Sequence, residues 1–125
     1  MLIKELSEKY NDYIIDRRRY YHQYPELTLQ EIETTKSIIK DLKEIGIEDI
    51  KTFKDFHGCV GILKGGKPGK TVLLRADIDA LPVLEKTELP FASKIEGKMH
   101  ACGHDNRIAM LLGAAKILFD MKDEV

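Results

Sequence analysis

The residues with the greatest chemical capacity lie together at Gly97-Lys98-Met99-His100-Ala101-Cys102-Gly103-His104-Asp105-Asn106-Arg107. One thiol, two imidazoles and a carboxylate fall between His100 and Asp105. Cys, His and Asp are side chains that bind transition metals. Residues two apart point to opposite sides of an α-helix, but to the same side of an extended segment. Cys102 and His104 can therefore aim at one point only from an extended loop, and Gly103 between them favours such a backbone. The same tripeptide also reads as a buried cysteine beside a hydrogen-bonded core histidine. A motif this short does not separate the two.

A second group of candidates stands upstream, in Arg75-Ala76-Asp77-Ile78-Asp79-Ala80-Leu81-Pro82. Asp77 and Asp79 share a face if the backbone there is extended. Carboxylates at the C-terminal end of a sheet strand occupy the usual place of an α/β active site. They read equally as solvated turn aspartates ahead of Pro82.

These residues need elements to hold them. Ile3, Leu6, Tyr10, Tyr13, Ile14 and Arg17 recur at helical spacing, which predicts an amphipathic helix from about Ile3 to Tyr21. Arg17-Arg18-Arg19 at its end suits the negative pole of the helix dipole better than a phosphate site. Pro25 closes this region. Thr28 and Glu31 have the spacing of a capping box, with Leu27 and Ile32 as its hydrophobic staple. A second helix follows, with Ile32, Thr35, Ile39 and Leu42 on one face and Gly46 at the position of a left-handed cap. Ile50 to Phe53, Cys59 to Leu63 and Thr71 to Arg75 read as short strands. Gly65-Gly66-Lys67-Pro68-Gly69 reads as a hairpin turn between the last two. Val72-Leu73-Leu74 has the continuous apolar character of a strand buried on both faces. Leu84 to Gly97 reads as a polar surface loop. Asp105 is placed to cap a last helix, in which Lys116 is the only charge from Ile108 to Phe119. A helix apolar nearly all round is normally covered on several sides, yet little chain is left to cover this one.

Composition narrows the class. In 125 residues, 43% are hydrophobic and 33% charged, as in a soluble globular domain with a core of its own. Twenty Lys and Arg against 21 Asp and Glu leave a net charge of −1, which offers no nucleic-acid surface. No apolar run approaches a membrane span, and the N-terminus has no secretory signal, so the expected location is cytoplasmic. Cys59 and Cys102 form no disulfide framework.

Four blocks, taken in order, carry a resemblance. They are Arg18-Arg19-x-x-His22-x-x-Pro25-Glu26-Leu27-x-x-x-Glu31-x-x-Thr34, Leu74 to Pro82, Met99 to Asp105, and Ala109 to Lys116. Together they resemble the M20 metallopeptidase clan, most closely its amidohydrolase branch of N-acyl-amino-acid, hippurate and auxin-conjugate hydrolases and N-acetyl-diaminopimelate deacetylases. The resemblance implies an α/β fold: the N-terminal part of an M20-type catalytic domain, with two leading helices, a small sheet and a C-terminal buried-type helix. It implies a site for two divalent ions, zinc or manganese, with Cys102 and His104 as metal ligands. Asp79 resembles the aspartate that orients a ligand or the catalytic glutamate. Asp77 stands where other branches have a ligand histidine, and His100, Asp105 and Arg107 are neighbours of the site.

The implied chemistry is hydrolysis of the amide C–N bond of a small N-acyl amino acid or dipeptide-like substrate. The metal acidifies the attacking water, and a glutamate moves its proton to the leaving amine. Two departures stand out. The clan's pattern continues to a histidine where this chain has Arg107, a cation that opposes a metal unless it is neutralised or directed elsewhere. The general-base glutamates, the later ligands and the lid or dimerisation domain have no counterpart in residues 1–125. The expectation is therefore a partial catalytic domain, inactive by itself and able to self-associate through an exposed last helix. The alternative is a non-catalytic remnant that acts as a binding or interaction module.

Overall fold

The computed structural model describes residues 2–125. Its leading helical stretch is divided at Tyr10 into α1 (Leu2–Lys9) and α2 (Asn11–Gln23). Backbone bonds still bridge the junction, from Tyr10 N to Leu6 O and from Ile14 N to Tyr10 O. The expected single helix is thus present with a local break, and it runs on to Gln23, just short of Tyr24-Pro25.

Helix α3 (Ile32–Ile45) has the expected C-terminus. Gly46 takes a left-handed φ of 111°, its amide donates to Lys43 O, and the Ile47 amide donates to Leu42 O. This is a Schellman ending, which a residue with a Cβ would strain. A Cβ at Gly46 would also overlap the ring of Phe119. The other end of α3 departs from expectation. Thr28 does not cap it, because its hydroxyl donates to Asp79. The cap is the Glu26 carboxylate, which accepts the amides of Glu33 (3.2 Å) and Thr34 (2.5 Å). A carboxylate answers unpaired N–H groups at a helix start as well as a hydroxyl does, and it adds charge of the favourable sign.

Strands β1 (Asp49–Thr52) and β2 (Cys59–Ile62) pair antiparallel, with Asp49 opposite Ile62 and Thr52 opposite Cys59. The expected third strand is not formed. Residues 71–75 join no ladder, and Val72 and Leu73 are 79% and 78% exposed. The glycine-rich stretch before them closes no hairpin. Instead the Gly66 and Lys67 amides donate to the carbonyls of Lys122 and Val125. Apolar composition favours a strand but cannot supply its ladder, and among the described residues none pairs here.

Helix α4 (His104–Asp120) lies on α2 and also touches α1 and α3. Ile108 and Leu112 join Tyr21, Ile45 and Ile47 in the core. The last helix is therefore better covered than expected, with Met110 as its one strongly exposed large apolar side chain at 64%. α2 and α4 approach closely at Gly113, where a Cβ would meet Ile14 Cδ1 at 2.5 Å. Three helices packed on α4, beside a two-stranded sheet, make up the α/β arrangement.

Candidate metal centre

The segment before Pro82 is extended and pinned from both sides. The Ala80 amide donates to Glu26 O at 2.8 Å, and Leu81 exchanges two backbone bonds with Met99 at 2.9 and 3.0 Å. These few bonds fix the geometry of the site. They set Asp77 and Asp79 against the start of α4, and they carry the chain from Met99 into the loop that holds Cys102 and Gly103.

Gly103 has φ 79°, a left-handed conformation, and α4 begins at the next residue. This glycine is where the chain turns from loop to helix. The turn brings His104 Nδ1 to 2.9 Å from Asp79 Oδ1 and 3.0 Å from the Asp79 carbonyl. Both partners are acceptors, so Nδ1 carries the proton. In the neutral ring Nε2 is then the free electron pair, and it lies 3.9 Å from Asp77 Oδ2. A carboxylate that holds one ring nitrogen fixes tautomer and ring direction for a metal on the other. The arrangement fits a divalent cation bound at Nε2, with the Asp77 carboxylate as a neighbouring oxygen donor. Thr28 donates to Asp79 Oδ2 at 2.5 Å. That bond, helped by His104 and opposed by partial burial, holds the Asp79 carboxyl below the usual carboxylate range. Asp79 therefore stays ionised, as an orienting group must.

Cys102 is exposed on the loop, available to a cation or to solvent. Among the described residues, no three or more His, Cys, Asp and Glu side chains converge on one metal position. What the chain assembles is the pair of aspartates on His104, with Cys102 two residues away. Arg107 is exposed in the first turn of α4.

Of the two other expected neighbours, Asp105 belongs to a different network and His100, among the described residues, to none. Asp105 does not cap α4. It is fully buried, and its Oδ2 accepts from Arg18 Nε at 2.9 Å and bonds to His22 Nδ1 at 2.7 Å. His22 Nε2 bonds to Glu85 Oε1 at 2.8 Å, and the Ser93 amide and the Thr87 hydroxyl donate to Glu85 as well. Burial works against an ionised Glu85, but these bonds outweigh it and hold the carboxyl below its ordinary range. His100 is buried, and neither ring nitrogen has a partner among the described residues. Burial lowers its pKa to about 4, so the ring is neutral at pH 7. The network from Arg18 to Glu85 ties α2, the loop after Pro82 and the start of α4 together. Arg18 and His22 sit four apart on one helix face, the spacing that signals a shared partner. Nothing local to Glu85 marks it as the other half.

The chain is similar to several known proteins. Residues 73–125 match the family model for peptidase family M20/M25/M40. The thermostable carboxypeptidase 1 of Saccharolobus solfataricus is 48% identical over 121 residues, covering 97% of this chain and 31% of that protein. The N-acetylcysteine deacetylase of Bacillus subtilis is 46% identical over 112 residues, covering 90% of this chain and 30% of that one. Among solved structures, a dinuclear metal binding peptidase of the M20 family from Bacillus subtilis superposes with a TM-score of 0.84 at 41% identity. That match covers 94% of this chain and 33% of the other. The chain spans about a third of the length of the curated relatives it matches.

Proposed function

We propose that the chain belongs to peptidase family M20/M25/M40, whose model matches residues 73–125, and that it supplies one half of a metal-dependent site for hydrolysing the amide bond of N-acyl amino acids. Cys102 and His104 Nε2 are the ligands in this reading. Asp77 is the adjacent oxygen donor, and Asp79 orients His104. A divalent metal held there, zinc or manganese in this reading, would supply Lewis acidity toward the amide carbonyl and toward water. The observation that carries the proposal is the double hold of Asp79 on His104 Nδ1, which leaves Nε2 beside Asp77. The N-acyl amino acid is proposed as substrate from the deacetylase among the relatives. In this reading none of the described residues is assigned the role of general base.

The test is titration with Co²⁺, whose thiolate charge-transfer band reports Cys102. Binding with that band is expected, and Cys102→Ser should abolish it. Asp79→Asn should weaken affinity about 10- to 100-fold, as loss of an orienting carboxylate does at other sites. A band that survives Cys102→Ser would overturn the ligand assignment. With metal present, the 125-residue chain should not hydrolyse N-acetylcysteine by itself. Measured turnover would show that a base lies within it.

A further inference from the structure

On the far side of α4 from His104 is a cleft of about 280 Å³ between α2 and α4. The six-residue step from His104 to Met110 turns about 240° round the helix axis, so the two side chains leave different faces. Ile14, Ile15 and Met110 give the cleft an apolar wall. Its other end is Phe91 with two guanidinium groups against one ring, Arg18 at 5.0 Å and Arg19 at 4.9 Å from the ring centre. Arg18 gives only its Nε to Asp105. The Arg19 guanidinium makes no hydrogen bond or ion pair among the described residues. Two like charges are thus held side by side on an aromatic face, with a single carboxylate between them and the core.

We infer that this cleft binds a small free carboxylate with a short unbranched apolar tail, its head on Arg18 and Arg19 and its tail along Ile14, Ile15 and Met110. The charge complement selects the head. An unpaired guanidinium fork donates two parallel hydrogen bonds to a carboxylate, and stacking on Phe91 fixes the plane in which it does so. Small ligand sites are typically apolar clefts with a few convergent polar groups. The volume, at the low end for such sites, favours a tail of a few carbons. This site uses neither Cys102 nor His104, so it stands or falls apart from the proposed metal centre.

Hexanoate is the probe, followed by NMR on the Met110 methyl and the Phe91 ring. Saturable shifts of both signals are expected, with an affinity of about 1 mM for a ligand of this size. Hexanol and hexylammonium should bind at least about tenfold more weakly. Arg19→Gln should lower hexanoate affinity about tenfold. Met110→Glu, which sets a competing carboxylate beside the arginines, should abolish the shifts. Both positions are exposed, so the variants keep the core. Equal binding of hexanoate and hexanol would overturn the proposal. So would binding that Arg19→Gln leaves unchanged, or shifts confined to the loop at Cys102. Anionic vesicles that perturb the same signals while hexanoate does not would assign the patch to a membrane and likewise overturn it.

Discussion

His22 puts one ring nitrogen on each of two buried carboxylates, Asp105 and Glu85. Removing the ring leaves both acids buried without their shared partner, the situation in which a broken buried pair costs about 3–5 kcal/mol. His22→Ala should therefore lower the unfolding free energy by about that amount in urea titration. A loss below about 1 kcal/mol would show that water replaces the ring without penalty. Legibility differed sharply at this scale. Cys102, His104, Asp77 and Asp79 stand out as candidates because side-chain types that can bind metals are closely spaced there, and the structure brings His104 and the two aspartates together. His22 could not, because its partners stand 83 and 63 residues away. The pairing exists only once α2 lies against α4. Asp105 is hidden for the same reason: an acid in a first helical turn looks like a cap until Arg18 and His22 claim it.

Between elements, two contacts decide how α4 sits on the helices before it. At one end the Tyr10 hydroxyl and Lys9 donate to Asp120. The Tyr10 bond is the larger reason that the Asp120 carboxyl lies below its ordinary range. A depressed carboxylate pKa gives stability that is present above the unfolded-state value and is lost as pH falls through the folded-state value. Tyr10→Phe should raise the Asp120 pKa toward the ordinary carboxylate value, read by carboxyl NMR titration, and should flatten the acid limb of stability. In the middle of the interface, Gly113 lets Ile14 close on α4. Alanine is the better helix former by about 0.5–1 kcal/mol, but here its methyl would collide with Ile14. Gly113→Ala should destabilise the wild type by about 1–3 kcal/mol, the usual range for overpacking. In an Ile14→Ala background the same change should become stabilising, and a cycle of the four proteins in urea would read the reversal. Helix existence and the Gly46 cap were legible, because period and a left-handed turn are local. The capping role of Glu26 was not. It reaches forward seven and eight residues from outside the helix, beyond any cap spacing the sequence displays.

For the molecule as a whole, the expectation of an exposed last helix moved to a different surface. α2 covers much of α4, whereas Val72 and Leu73 are almost fully exposed and Leu74 is 49% exposed. No backbone hydrogen bond among the described residues involves positions 71–75. The sequence disclosed that this run is apolar. It could not disclose that none of the described residues would pair with it, since a ladder is a property of two segments. An extended apolar segment with unpaired amides and carbonyls is a template for another strand. Self-association should therefore proceed through 71–75. Lys70 and Arg75 flank the apolar residues but leave their side chains open to contact. Leu73→Lys places a charge at the centre of the segment, where pairing would have to bury it. It should shift sedimentation-velocity profiles at high concentration toward monomer. Met110→Lys, on the most exposed large side chain of α4, should leave them unchanged. If instead Met110→Lys dissolves the association and Leu73→Lys does not, α4 is the adhesive surface after all.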